Sequence, residues 1–181
     1  MNILIRVLCA LAFGVALSVA HAKSEPKWEF SARVSFVDDG DTVWARKDNG
    51  ERIKVRLANV DAPETGHTPC KKGQPWGDQS SEALKKLVMG KWVNFQCFEK
   101  DRFHRSVCDI QIGDTTVARE LASRGMAWAN RADPRYLRDP VVGRLEREAR
   151  ASKVGLWASE SPIPPWEWRK TVAAACSRDS H

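Results

Sequence analysis

The chain has 181 residues, 43% of them apolar and 29% charged, with 11 Gly and 9 Pro. That balance allows one packed domain with extensions and excludes collagen-like, low-complexity and wholly disordered classes. Lys and Arg number 29 against 23 Asp and Glu, a net charge of +6, which suits an anionic partner such as nucleic acid without identifying one.

Residues 1–22 carry Arg6, an uncharged apolar run from Val7 to Ala20, and the ending Ala20-His21-Ala22. A positive start, an apolar stretch and small residues where a signal peptidase reads predict an export signal cleaved near Ala22. The expected location is periplasmic or secreted, with no stable membrane association after cleavage. That compartment is oxidising, and apart from Cys9 the chain keeps Cys70, Cys97, Cys108 and Cys176. An even set reads as two disulfides with three possible pairings. No Cys-x-x-Cys pair supports zinc.

Phe30, Ala32, Val34 and Phe36 alternate with Ser31, Arg33 and Ser35, which predicts a half-buried strand with those four apolar residues facing inward. Asp39-Gly40 turns the chain into a strand over residues 42–46, and Asp48-Asn49-Gly50 turns it again into Ile53, Val55 and Leu57. After a loop rich in Pro, Gly and Lys, residues 80–89 place Ala83, Leu84, Leu87 and Val88 on one helical face before Gly90. Residues 92–98 and 106–112 read as two strands, 117–124 as a short helix, and Asp139-Pro140 as the cap and first residue of a third helix ending at Gly155. This order predicts an α+β fold, a five-stranded OB-fold barrel with three helices over residues 23–160. Residues 161–181, with Pro162, Pro164, Pro165, Trp166 and Trp168, read as an extended Pro/Trp-rich strap lying on the barrel. The eight Trp, against the single Tyr136, are assigned to core and strap.

Asp38, Asp39, Asp41, Asp61 and Glu64 stand where strands end. Asp41 and Asp61 sit at opposite ends of neighbouring strands and can converge, Arg56 lies between them at non-core parity, and Arg105 ends a charged loop. Carboxylates and guanidiniums in one cleft suit phosphoryl chemistry, since hard oxygens hold Ca²⁺ or Mg²⁺ and Arg forks match phosphate.

Asp39-Gly40-Asp41-Thr42-Val43, the run from Val55-Arg56-Leu57 through Val60-Asp61-Ala62-Pro63-Glu64-Thr65, and Asp101-Arg102-Phe103-His104-Arg105 resemble the three signature blocks of the staphylococcal nuclease family. The resemblance extends from about Phe30 to Trp157. It implies an OB-fold, Ca²⁺-dependent phosphodiesterase that cuts DNA and/or RNA and leaves 3′-phosphate ends. It implies Asp41 and Asp61 as carboxylate metal ligands and Ala62 as a main-chain ligand. Glu64 is then the general base, and Arg56 and Arg105 the phosphate-gripping catalytic residues. Phe103, with Lys71 and Lys72 of the preceding loop, is expected to contact substrate. Phe103-His104 replaces the family's frequent Tyr-Gly, which keeps a stacking surface without the hydroxyl. Cys97 and Cys108 flank the loop carrying Arg105 and are expected to bridge, leaving Cys70 for Cys176. A monomer is expected. The rival is an exported OB-fold module that binds nucleic acid without cutting it; Glu64, Arg56 and Arg105 together favour the enzyme.

Overall fold

The computed structural model of the protein describes residues 25–66 and 73–178. Strands β1 (Trp28–Val37), β2 (Thr42–Arg46) and β3 (Arg52–Leu57) form the antiparallel meander that alternation predicts. Ala32, Val34, Val43, Ala45, Val55 and Leu57 supply its buried face. Phe36 corrects one assignment. The pairing register of β1 slips between Val34 and Phe36, so Val37 turns inward and Phe36 is left 51% exposed. A bulge of this kind reverses the parity of every residue beyond it.

Past β3 come the short strand β4 (Val60–Asp61), helix α1 (Gly77–Val88), and strands β5 (Trp92–Lys100) and β6 (Ser106–Ile112). β5 pairs with β1 and with β6, and β3 meets β6 in parallel through Val55–Ser106, Arg56–Val107 and Leu57–Cys108. That last pairing closes β1, β2, β3, β5 and β6 into a five-stranded barrel, an OB-fold. Strand β7 (Thr115–Thr116) leads into α2 (Val117–Ser123), which Thr116 caps, and strand β8 (Trp128–Ala129) pairs with β4. Helix α3 (Pro140–Ala151) begins as read, with the Asp139 carboxylate accepting from Val141 N–H and Pro140 in the first turn.

The tail differs from the extended strap. Residues 159–164 form bends and irregular chain, and α4 (Pro165–Arg178) is a fourth helix. Pro165 at the first helical position needs no intrahelical N–H partner, and nothing after it up to Ala175 breaks a helix, so the last proline starts the helix rather than preventing it. Trp166 does pack as a strap residue, edge-on to Trp128 at 5.9 Å, and Trp128 meets Trp157 at 4.3 Å. Trp92 does not belong to core or strap, being 52% exposed. No helix among the described residues is long and apolar enough to cross a membrane.

Cys97 and Cys108 are paired residues of β5 and β6 and are joined by a disulfide. Replacing Cys108 by Ser is expected to lower unfolding free energy by about 3 kcal/mol through loss of loop-closure entropy, measurable by denaturant unfolding of oxidised protein. Cys70 and the residues 1–22 of the expected signal lie outside the described residues, as does the side chain of Cys176.

Candidate active site

The Asp39 side chain accepts from Asp41 N–H at 3.0 Å, fixing the turn between β1 and β2. Gly40 is required there, because a Cβ would stand 2.1 Å from Ser80 Oγ of α1. Asp41, 5% exposed, accepts from Ala62 N–H at 2.7 Å on one oxygen and from Thr42 Oγ1 at 3.1 Å on the other. Thr42 pairs with Arg56 across β2 and β3, which delivers Arg56 to the same point. Its Nη1 lies 2.7 Å from Asp41 Oδ2 and its Nη2 2.7 Å from Asp61 Oδ1. One guanidinium thus bridges the two acids at opposite strand ends. Burial pushes the Asp41 carboxyl well above its usual range, Asp39 and Asp61 push it further, and Arg56 and the Ala62 amide pull against them.

Asn59 carries the chain from β3 into β4 with a left-handed φ of 68°. Its amide donates to both Asp109 oxygens at 3.0 and 3.1 Å, and its carbonyl oxygen accepts from the N–H groups of Arg138 and Asp139 at 2.7 and 2.8 Å. This buried knot fixes the segment presenting Asp61, itself 1% exposed. Asn59→Ala strands two backbone donors and removes both bonds to Asp109. It is expected to destabilise by about 3–4 kcal/mol, read from the midpoint of urea unfolding.

Glu64 is held by its backbone. Gln74 N–H donates to Glu64 O at 2.8 Å, and Glu64 N–H donates to Gln74 Oε1 at 3.3 Å. A Cβ at Gly77, the start of α1, would fall 2.2 Å from Glu64 O, so the helix approaches this closely only as glycine. The Glu64 carboxylate is taken by a residue that sequence reasoning missed. Arg169 of α4 donates from Nη1 to Glu64 Oε1 at 2.5 Å and to Asp61 Oδ1 at 3.1 Å, and from Nη2 to Asp61 Oδ2 at 2.6 Å. No local periodicity marks an arginine 105 residues from its partner.

These groups line a cleft of about 1070 Å³ whose walls also carry Lys54, Lys100, Arg105, Phe103, Tyr136 and Trp168. Arg105 faces the cleft but spends its Nε–H on Asp101 Oδ2 at 2.7 Å; Asp101 also accepts from the N–H groups of Arg105 and Phe103. Burial raises the Asp101 carboxyl, but these bonds outweigh it and hold the group below its usual range. His104 turns the loop with φ 62°, a conformation that suits glycine. Phe103 is 62% exposed at the rim, under the Arg102 and Arg105 guanidiniums. Lys71 and Lys72 lie outside the described residues. Of the residues predicted from sequence, then, Asp41, Asp61 and Arg56 are joined directly, Glu64 joins them through Arg169, and Arg105 and Phe103 line the same cleft from the loop before β6.

Among the described residues no group of three or more acid, His or Cys side chains is gathered for a metal. The donor chemistry nevertheless fits a hard cation. Asp41 and Asp61 present buried carboxylates to one point, where positive charge is now supplied by Arg56 and Arg169.

The sequence pattern of staphylococcal nuclease homologues matches residues 54–159. The chain belongs to the staphylococcal nuclease family. It is 37% identical to an uncharacterized endonuclease of Escherichia coli over 78% of this chain and 86% of that one. It is 35% identical to an uncharacterized endonuclease of Haemophilus influenzae over 77% and 73%. A probable staphylococcal-like nuclease of Oryza sativa subsp. japonica is 34% identical over 72% of this chain, which spans 35% of the rice protein. Membership makes this staphylococcal nuclease homologue a nuclease-type hydrolase, and the Asp41–Arg56–Asp61 bridge lies at the head of its cleft. Arg169 comes from beyond the matched segment.

Proposed function

We propose that the protein is an exported, monomeric, calcium-dependent nuclease that hydrolyses phosphodiester bonds of DNA and/or RNA and leaves 3′-phosphate ends. The observation that carries this reading is the convergence of Asp41, Asp61 and Glu64 in a cleft that also carries Lys54, Lys100, Arg105, Phe103 and Tyr136, its further acids Asp38, Glu99 and Asp101 being paired with Lys54, Arg138 and Arg105. Asp41, Asp61 and the Ala62 main chain would hold the ion, which supplies positive charge against the phosphate oxygens. Glu64 takes a proton from the attacking water as its oxygen bonds to phosphorus. Arg56 and Arg105 meet the charge of the five-coordinate phosphorane, and the 5′ oxygen leaves with a proton from solvent. Guanidinium does not give up its proton at accessible pH, so Arg105 acts as a charge and not as the acid. Phe103, Tyr136 and Trp168 offer stacking faces to bases of a single strand.

The test incubates the purified mature chain with single-stranded DNA and with RNA, in Ca²⁺ or in EGTA, and identifies the ends. Cleavage in Ca²⁺ alone, with 3′-phosphate products, is the expected result. Binding without cleavage, or equal cutting in EGTA, overturns the reading.

A further inference from the structure

Two acid residues of the site, Asp61 and Glu64, are covered by a side chain from the C-terminal helix. Arg169 blocks both oxygens of Asp61 and one of Glu64. Asp61 is 1% exposed and already accepts from Arg56, so with Arg169 in place neither of its oxygens is open to another cation. The helix that delivers Arg169 is tied to the site at its base. Gln74, whose side chain accepts from Glu64 N–H, donates from Nε2 to Ile163 O, immediately before α4. Trp166 adds a ring contact to Trp128. Beyond that anchor the helix is lightly seated. Among its described side chains only Pro165 is buried, while Glu167, Arg169, Lys170, Thr171 and Ala173 are exposed. With Trp166, Trp168 and Val172 only half-buried, a helix anchored at its base can shift its Arg169 turn without unfolding the barrel.

We propose that Arg169 is a built-in occupant of the Asp61–Glu64 side of the cation position, next to the Arg56 bridge between Asp41 and Asp61. It neutralises Asp61 and Glu64 in the metal-free protein, and a divalent cation enters by displacing it, which loosens α4 and opens that wall of the cleft. The proposal rests on the calcium reading above and adds to it that residues 165–178 set the affinity of the site. Displacement is favourable in charge terms because a doubly charged ion replaces a singly charged group on the same carboxylates.

The test needs no nucleic acid. Ca²⁺ is titrated calorimetrically into the wild-type mature chain and into Arg169→Gln and Arg169→Lys, and amide hydrogen exchange across α4 is followed with and without Ca²⁺. Arg169 is 45% exposed, so its competition is screened. Arg169→Gln is expected to bind Ca²⁺ about tenfold more tightly, within the range for charge-assisted hydrogen bonds at a partly open site. Arg169→Lys is expected to fall between, since a point ammonium cannot span both Asp61 oxygens and Glu64. In the wild type, exchange in α4 should rise on saturation. Should Arg169→Gln fail to fold, Arg169→Lys carries the comparison. Equal or weaker Ca²⁺ affinity in the folded variants, or wild-type saturation with no added exchange in α4, overturns the proposal and leaves the calcium reading intact. Absence of Ca²⁺ binding by all three chains overturns both.

Discussion

Glu64→Gln is expected to lower kcat on single-stranded DNA by roughly 10²–10⁴-fold, about 3–5 kcal/mol of barrier, while Ca²⁺ and substrate still bind. The amide keeps the size and the Gln74-anchored backbone of Glu64 but cannot take a proton from water. Its carbonyl oxygen still accepts one bond from Arg169, so the fold and the position of α4 are expected to persist. Single-turnover cleavage together with calorimetric Ca²⁺ titration separates the two quantities. Wild-type turnover in Glu64→Gln would place the proton acceptor elsewhere.

Arg56→Lys is expected to damage both stability and rate. The guanidinium is 13% exposed and spans two carboxylates at 2.7 Å each, with a further bond to Val60 O at 3.2 Å. A lysine ammonium reaches one of these acids and leaves the other without its Arg56 ion pair, a loss of about 3 kcal/mol in the metal-free protein. If Ca²⁺ is ligated as proposed, it stabilises the folded state and should restore part of that loss, so the deficit in urea unfolding is expected to be larger in EGTA than in Ca²⁺. Cleavage should fall by at least the factor expected for Glu64→Gln, because Arg56 organises the acids and, in the proposed mechanism, meets the phosphate. A variant with unchanged unfolding midpoint and ordinary turnover would reduce Arg56 to surface charge.

The barrel was legible because its strands are short-range objects. Ala32-x-Val34, Val43-x-Ala45 and Val55-x-Leu57 declare their faces by alternation, and Asp39-Gly40 and Asp48-Asn49-Gly50 declare the turns between them. The slip at Phe36 was not legible, since a bulge adds one residue without changing composition. β4 and β8 have two residues each, too few for any period. In the site, Asp41, Asp61 and Arg56 could be brought together from strand order alone. Asn59 sits inside the Arg56-to-Asp61 run, but its partners, Asp109 and the backbone at 138 and 139, are set by barrel closure. Arg169 is the extreme case, because its role depends on α4 being a helix and on where that helix lies.

The parallel seam between β3 and β6 has a kinetic consequence. The β1–β2–β3 meander and the β5–β6 hairpin each form from neighbouring sequence, whereas Arg56 must find Val107 across a long intervening chain. Contacts of that separation are entropically the most demanding and tend to form late in folding. Arg56 and Asp61 belong to one side of the seam and Arg105 to the other, so although β1 already joins β5, the two halves of the cleft come together only when the barrel closes. Cleavage competence during refolding should therefore lag behind the signal of the meander and appear together with closure, which would make activity a clock for the last large step of assembly.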